Sequence, residues 1–335
     1  MKNKKTKIIL EICAFILFLC CTLSCISWLG YVFLPERNDY GAIWHKYLEE
    51  DENSVDVMFF GSSLVFCDII PAAVYEKSGI PSYVLAAPES TVPYMYYYVK
   101  EALKTQKPKV IFAEVSGMYF DEYTNFTDIT LGYMPYSANR VAATFTSAEP
   151  DARLGLTFPL YNYHDRWEEM SFADFFRFRK DKAVDMWAGY TPLAETKTDA
   201  DRIERIVEHE KVNFENNAKY LKKLVQLCKE EEIELELFIV PSCYTYSQEN
   251  INKIRDVVPD TTLTDFNTLF DEDDYVLSED FYDRLHFNIY GAKKFSAFLG
   301  EYITEKYAIT PSEHDKELWN GRIKHLEDML KELDK

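Results

Sequence analysis

An apolar run that stops at one glycine and two serines constrains the fold most. Residues 55–64 are VDVMFFGSSL, in which the β-branched and aromatic side chains are typical of a buried strand. Gly61 permits a tight backbone turn after this strand. Ser63 then lies at the start of the next segment, among backbone N–H groups without helical partners. The sequence therefore predicts the first strand of an α/β sheet, ending in a turn that presents Ser63 as a candidate nucleophile.

Short apolar runs alternate with helical patterns on both sides of a long irregular stretch. The predicted strands are 55–60, 84–87, 110–115 and 233–240, and the predicted helices are 93–104, 201–232, 248–257 and 291–307. This alternation favours a parallel, doubly wound sheet, which places its sites at the carboxyl ends of the strands. Residues 116–200 show no clean period. We expect them to form an insertion or lid over that edge of the sheet.

The N-terminus combines a basic cluster with a long apolar span. Four lysines within residues 2–7 precede residues 8–34, which are almost entirely apolar and contain Trp28 and Tyr31 near their end. About 20 apolar residues span a bilayer, and flanking lysines favour the cytoplasmic side. We therefore expect a single-pass anchor in the cell membrane, with the bulk of the chain extracytoplasmic. The alternatives are a cleaved signal peptide, whose apolar core is shorter, and lipidation at Cys25.

Composition narrows the classes of partner and of site. The 335 residues are 47% hydrophobic, which is enough for a sizeable core, and the net charge of −19 argues against nucleic acid as a partner. Beyond the predicted anchor, the cysteines are Cys67, Cys228 and Cys243. They lack zinc-ligand spacing and do not form a disulfide framework, so we expect small buried hydrophobic side chains.

The pattern predicts four segments along the chain. Residues 1–35 form a basic tip and anchor, and residues 36–54 form a charged linker. Residues 55–310 form the α/β domain that carries the insertion at about 116–200. Residues 311–335 have apolar side chains spaced by threes and fours, which predicts an amphipathic helix that packs on the domain or pairs between chains.

Elimination among the six histidines leaves His286 as the best candidate for a general base. Four of the others lie in charged segments that we expect to be solvated, namely His45, His209, His314 and His325. Asp283 lies three residues before His286, a spacing that lets its carboxylate accept the Nδ1–H while Nε2 faces a nucleophile. A histidine beside a surface aspartate is the structural alternative, since so short a motif often occurs by chance.

The remaining histidine lies in a second polar and aromatic cluster, residues 163–167. His164 and Arg166 are candidates for binding an acceptor or an anionic group in the cleft, and Trp167 is a candidate for stacking on a sugar. A buried network that braces the insertion is the alternative. A metal site that combined the His164–Asp165 pair with the Asp283–His286 pair is disfavoured by the missing ligand spacing. We expect no metal and no other cofactor.

The two ends of the predicted domain together resemble the SGNH or GDSL-type hydrolases. The resemblance lies in the GSSL turn after the first strand and in the D-x-x-H-x-N-x-x-G string that begins at Asp283. It implies a flavodoxin-like, three-layer α/β/α fold, with Ser63 as nucleophile, His286 as general base and Asp283 as its orienting acid. Ser62 replaces the usual aspartate of the family, a variation similar to the D-alanyl-transfer proteins of teichoic acid metabolism and related membrane-anchored envelope acyltransferases.

Two other blocks of the family differ in this chain. Glu89 replaces the glycine whose N–H helps to bind the oxyanion, and residues 116–118 are SGM where the family has G-x-N-D. The backbone N–H groups of Ser63 and Glu89 are the candidate oxyanion donors. A carboxylate beside an oxyanion is unfavourable unless it points away.

The resemblance implies a serine esterase or O-acyltransferase that acts on an ester-linked acyl group. The expected substrate is a cell-envelope polysaccharide or other acylated polymer, and an acyl-exporting membrane protein is the expected partner if the reaction is a transfer. The alternative is a catalytically inactive SGNH-like protein that binds or assembles envelope material. The acyl group and the acceptor are not predicted by any residue pattern.

Overall fold

The computed structural model describes residues 2–35, 43–120, 124–179, 184–195, 203–205, 213–272 and 275–335. The chain divides into two compact units. The helix unit comprises Met1–Arg37 and Pro150–Asp181, and the sheet unit comprises Asn38–Glu149 and Lys182–Lys335. The stretch predicted as one insertion, residues 116–200, is therefore shared between the two units.

The sheet unit contains a five-stranded parallel sheet. The described strands are β1 (Val57–Phe60), β2 (Ser82–Val84), β3 (Val110–Glu114), β4 (Ile203–Arg205), β5 (Glu234–Ile239), β6 (Tyr244–Tyr246) and β7 (Thr262–Asp265). The order in the main sheet is β2-β1-β3-β5-β7, and β4 pairs with β6 separately. Counting only the five strands of the main sheet, this is the 2-1-3-4-5 order of flavodoxin-like doubly wound sheets. The predicted α/β class and parallel sheet are confirmed.

The central strands are buried on both faces, which explains why they are continuous apolar runs. All four residues of β1 and all five of β3 are buried. The rings of Phe59 and Phe112, on these neighbouring strands, lie 5.2 Å apart, and Phe112 also contacts Phe238 of β5. Parallel strands covered on both sides need apolar side chains in both directions.

The helices of the two units have the following bounds. They are α1 (Lys2–Phe33), α2 (Trp44–Tyr47), α3 (Ser63–Phe66), α4 (Pro71–Ser78), α5 (Val92–Ala102), α6 (Thr124–Thr130), α7 (Ala138–Thr146), α8 (Arg153–Thr157), α9 (Pro159–Tyr163), α10 (Phe214–Glu230), α11 (Gln248–Val257), α12 (Leu277–Asp280), α13 (Ile289–Lys306) and α14 (Lys316–Leu333). Short 3₁₀ helices cover Ser116–Tyr119, His164–Glu168, Phe172–Arg179 and Phe266–Glu272.

Most predicted elements agree with the structure to within a few residues, with two differences. Strand β7 lies in a stretch where no strand was predicted, because one of its four residues is exposed and three are partly buried, and it carries no apolar run. The helix predicted over 201–232 begins at Phe214, and β4 lies within its predicted range. The three cysteines beyond α1 are buried, as expected, and none of them forms a disulfide within the described residues.

In the helix unit, α1 is long and apolar enough to cross a membrane. Its span Lys4–Phe33 has 30 residues, a mean hydropathy of 2.5 in its most apolar window, and no buried residue in that window. At 1.5 Å per residue, such a helix is about 45 Å long. Helices α8 and α9 and the two following 3₁₀ helices belong to the same unit. Pro159 of α9 packs on Gly30 near the end of α1.

In the sheet unit, the C-terminal helix α14 packs on the domain. The ring of Trp319 stacks on Tyr75 of α4 at 4.7 Å, and Leu326 is buried in the main core. Of the two alternatives that the sequence left open, packing on the domain is the one observed within this chain.

A buried ion pair holds α14 against the segment before β1. The Arg322 side chain is fully buried and donates to the Glu50 carboxylate, which is 6% exposed. Burial raises the pKa of Glu50, and the positive charge of Arg322 acts in the opposite direction. A second nitrogen of the guanidinium donates to the Asp185 carbonyl at 3.0 Å.

Replacing Arg322 with alanine leaves the Glu50 carboxylate buried without its partner. We expect the free energy of unfolding to fall by about 3–5 kcal/mol. Lys331→Ala is the matched control on the same helix, because Lys331 is 66% exposed and pairs with Glu327 and Asp328 in solvent. That change should cost at most about 1 kcal/mol. Urea unfolding measures the free energy of unfolding of both variants. Equal losses would contradict a stabilising role for the buried pair of Arg322 and Glu50.

Candidate active site

Ser63 lies at the first position of α3, directly after the turn that ends β1. Ser62 is the N-cap residue, and its Oγ accepts a hydrogen bond from the Leu64 N–H at 3.4 Å. A Cβ atom on Gly61 would lie 2.6 Å from both the Glu114 Cβ and the Val65 Cγ2. Glycine is therefore required here by close packing, and the turn brings Ser63 to the carboxyl end of a central strand.

Ser63, His286 and Asp283 form one line of hydrogen bonds. The His286 Nε2 lies 2.8 Å from the Ser63 Oγ. On the other side of the ring, Nδ1 lies 3.0 Å from each carboxylate oxygen of Asp283. This geometry suits an imidazole that carries its proton on Nδ1 and accepts the serine proton at Nε2. The structure thus brings together the three residues that the sequence singled out.

The loop around His286 keeps the Asp283 carboxylate in place and ionised. Its Oδ1 accepts the backbone N–H groups of Leu285 at 2.7 Å and His286 at 2.8 Å. Burial opposes the charge on Asp283, but the hydrogen bonds from the His286 ring and from the two backbone groups outweigh it and lower the pKa of Asp283. An ionised carboxylate fixes the tautomer and the orientation of the imidazole.

The other two residues of the D-x-x-H-x-N-x-x-G string build the start of α13. Asn288 is its N-cap, and its Oδ1 accepts the N–H groups of Tyr290 and Gly291. A Cβ on Gly291 would lie 2.2 Å from the Asp280 carbonyl oxygen, so the helix approaches α12 too closely for any other residue. Antiparallel bridging of Phe281 with Phe287 closes the loop between them. These contacts explain the spacing of the motif.

A buried polar cluster lies behind the nucleophile turn and was missed in the sequence. Glu114, the last residue of β3, is 1% exposed. Its carboxylate accepts the Ser62 hydroxyl at 3.2 Å, the Ser116 hydroxyl at 2.5 Å and the Ser116 N–H at 2.6 Å. The available signal was a carboxylate at the end of an apolar strand, on the sheet edge where such folds place their sites. Glu114 links the first and third blocks of the site.

A second buried carboxylate, Asp68, joins the nucleophile segment to the histidine loop. Its Oδ1 accepts the Phe287 N–H at 2.9 Å, and within the described part of the chain its buried Oδ2 has no hydrogen-bond partner. Burial raises the pKa of Asp68 well above its ordinary value, and the charges of Asp283 and Glu114 act in the same direction. Asp68 was also missed in the sequence, where its only signal is a charge inside an apolar stretch.

Glu89 keeps a backbone conformation that normally favours glycine. Its φ is +44°, in the left-handed region, and the residue is exposed. On the adjoining segment, a Cβ on Gly117 would lie 2.5 Å from the Ser90 carbonyl oxygen, so the segments around Ser90 and Gly117 are closely packed. Glu89 is thus held in a conformation that glycine adopts more readily.

The residues of the second polar cluster lie in the helix unit. Arg166 donates to the Phe33 carbonyl at the end of α1, and the His164 Nδ1 lies 3.1 Å from the Tyr161 carbonyl oxygen. Trp167 is 65% exposed. The alternative of a buried network is wrong for His164 and Trp167, since both are exposed. Their expected role in binding an acceptor stays a prediction.

The four histidines set aside in the sequence differ in their surroundings. His314 is half-buried, and its Nε2 lies 3.0 Å from the Tyr75 hydroxyl, so the expectation of a solvated side chain is wrong there. His45 and His325 are exposed, and His209 lies outside the described residues. Among the described residues, no group of three or more histidine, cysteine, aspartate or glutamate side chains is arranged to hold a metal ion.

Comparison with known proteins identifies no family for this chain. No family model matches the chain, and no curated protein matches its sequence.

Asp68→Asn tests whether the buried carboxyl keeps its proton. In an unfolded chain Asp68 ionises near pH 4, whereas burial delays its ionisation in the folded protein. The stability of the wild type should therefore fall relative to that of the Asp68→Asn variant as pH rises above about 4, by at most about 1.4 kcal/mol per pH unit.

Asp283→Asn is the matched control with the opposite sign. The pKa of Asp283 is lowered by folding, so its ionised form stabilises the protein above about pH 4 and that contribution is lost as pH falls. The wild type should therefore gain stability over the Asp283→Asn variant as pH rises. Urea unfolding at several pH values measures both differences. A difference for Asp68→Asn that does not vary with pH would contradict the buried, protonated carboxyl.

Proposed function

We propose that this protein is a membrane-anchored, extracytoplasmic serine esterase or O-acyltransferase of the SGNH type. It acts on an ester-linked acyl group of a cell-envelope polysaccharide or other polymer. The single observation that carries the proposal is the line of hydrogen bonds from Asp283 through His286 to Ser63. The 2-1-3-4-5 order of the main sheet supports the SGNH type of fold, because that family shares the flavodoxin-like arrangement.

The first half of the reaction is attack by Ser63 on the ester carbonyl. A serine hydroxyl is a weak nucleophile at neutral pH and needs a base within hydrogen-bond reach, which is the His286 Nε2 at 2.8 Å. As the bond to the carbonyl carbon forms, the serine proton moves to the imidazole, and the Asp283 carboxylate stabilises the resulting imidazolium. The imidazolium then protonates the leaving alkoxide, and the acyl group remains on Ser63.

Backbone N–H groups are the proposed oxyanion donors. In the described part of the chain, the Ser63 N–H makes no hydrogen bond and lies at the start of α3. The Glu89 N–H is the second candidate donor. Removing one such donor from a serine hydrolase costs two to three orders of magnitude in rate.

The second half of the reaction decides between hydrolysis and transfer. His286 now takes a proton from the attacking oxygen as that oxygen bonds to the acyl carbon. The bond from the acyl carbon to the Ser63 Oγ then breaks, and the imidazolium returns its proton to that Oγ. Water as the attacking group gives the free acid, whereas a sugar or polyol hydroxyl gives a new ester. Both outcomes use the same three residues in the same roles.

Labelling with a fluorophosphonate probe tests the nucleophile. We expect covalent labelling of the wild type and its loss in Ser63→Ala and His286→Ala. Combining the two changes should cost little more than either alone, because residues that act as one unit are not additive. Ser62→Ala is the matched control, since it removes the neighbouring hydroxyl but leaves Ser63 and His286 in place, and it should remain labelled.

Two outcomes would count against the enzymatic proposal. If Ser63→Ala is labelled as fast as the wild type, the nucleophile is another residue. If the folded wild type is not labelled at all, the inactive envelope-binding protein is the better interpretation. Circular dichroism of each variant separates loss of labelling from loss of folding.

Protease accessibility tests the proposed topology. The basic cluster before α1 favours a cytoplasmic N-terminus, so the sheet unit should be digested when protease is added to intact spheroplasts. Lysed spheroplasts provide the control for protease resistance of the folded unit. Full protection in intact spheroplasts together with digestion after lysis would show that the sheet unit lies on the cytoplasmic side.

A further inference from the structure

The helix unit carries a concentrated patch of exposed apolar side chains. We call it the aromatic surface, and its members are Leu154, Phe158, Tyr161, Trp167, Phe172 and Phe176, which are between 37% and 79% exposed. Outside α1, thirteen large hydrophobic side chains of the described residues are exposed, and these six lie within 23 consecutive positions. Of the six, the Phe172 and Phe176 rings lie 5.2 Å apart. Exposed apolar side chains concentrated in one short segment are typical of a surface that binds another apolar phase.

The aromatic surface is built on segments that pack against one end of α1. Pro159 contacts Gly30, Arg166 donates to the Phe33 carbonyl, and the Phe175 ring lies 5.8 Å from the Trp28 ring. The partners of these contacts on α1 all lie within its last six residues, Trp28 to Phe33. The segments are therefore fixed to the C-terminal end of the apolar helix.

The length of α1 places that end at the membrane–water boundary. A bilayer core takes about 20 helical residues. Counted from Ile8, the first apolar residue, this length ends near Ser27, so Trp28 and Tyr31 lie at the level of the headgroups. Tryptophan and tyrosine are enriched at that level because their rings are apolar and their tips are polar. The segments that pack on Trp28–Phe33 lie at the same level.

We propose that the aromatic surface binds the lipid bilayer, with its rings inserted at the boundary between headgroups and acyl chains. This inference rests on the proposed membrane anchoring by α1 and adds a second, in-plane contact to it. Short helices with aromatic side chains on one side are typical of segments that lie in the membrane plane. The chain thereby binds the membrane through both a spanning helix and an interfacial segment.

The segment that carries the aromatic surface is close to neutral. Residues 153–180 contain five basic and four acidic side chains, which gives +1, whereas the whole chain carries −19. Anionic lipids repel acidic surfaces and do not repel this segment. The local charge is thus compatible with a position against phospholipid headgroups.

Tryptophan quenching in vesicles tests this proposal with the full-length chain. The chain has five tryptophans, of which Trp28 and Trp167 lie in the helix unit. The protein is reconstituted in phosphatidylcholine vesicles with or without bromine near the headgroup end of the acyl chains. In a Trp28→Phe background we expect bromine to reduce the emission, and we expect this reduction to disappear in the double variant Trp28→Phe, Trp167→Phe.

Phe172→Trp in the double-variant background provides an independent probe of the same surface. Phe172 is the most exposed of the six side chains, at 79%. Tryptophan at this position should restore quenching by brominated lipid. The emission of this one variant is compared in vesicles with and without bromine. The result therefore does not depend on whether Trp167→Phe by itself alters folding.

The outcomes separate failure of this inference from failure of the anchor. If bromine quenches Trp28 but neither Trp167 nor the tryptophan at position 172, the anchor stands and the aromatic surface does not bind lipid. Quenching of those probes by aqueous acrylamide alone would show that they face water. Protection from both quenchers would mean that protein covers the surface, with a second copy detected by crosslinking. If bromine quenches no tryptophan in the helix unit, the anchor itself is wrong.

Discussion

A buried carboxyl group that accepts one backbone N–H joins the two ends of the candidate site. Asp68 follows the nucleophile helix, and Phe287 follows the candidate base, yet the two are joined at 2.9 Å across 219 positions of the chain. Because the Asp68 side chain is fully buried, this hydrogen bond has no competition from water. The Ser63–His286 contact at 2.8 Å depends on the same approach of the first and last loops. The geometry of the candidate site thus depends on a residue outside the Ser63–His286–Asp283 line of hydrogen bonds.

Hydrophobic periodicity, together with the residues that end strands and helices, predicted much of the sheet unit from the sequence. The strand ending at Gly61 and the helix 248–257 were recognised because a buried strand and an amphipathic helix leave distinct patterns. Ser63, Asp283 and His286 were selected as candidates because their residue types and local spacing suit a serine–histidine–aspartate triad. Glu114 and Asp68 were not, since their partners are remote in sequence and only the fold brings them together.

The irregular stretch between β3 and α10 was the least predictable part for a physical reason. Its helices α6 to α9 have at most nine residues each, and parts of the stretch belong to two different compact units, so no single period extends over a long window. Aromatic residues such as Trp167 and Phe172 are exposed and are not part of a protein core. Their abundance is consistent with a bilayer surface, which imposes no helical or strand repeat. A sequence pattern alone cannot distinguish these two apolar environments.

The strained backbone at Glu89 bears on the weakest part of the resemblance to the SGNH hydrolases. A left-handed conformation costs a residue with a Cβ about 1–2 kcal/mol, so the surrounding structure must impose it. The adjoining Ser90 carbonyl packs so closely on Gly117 that no Cβ fits between them. Close packing of this kind can hold Glu89 in a backbone conformation that its own side chain disfavours. Exposure of Glu89 lets its carboxylate be solvated, which reduces the repulsion that an oxyanion would otherwise meet.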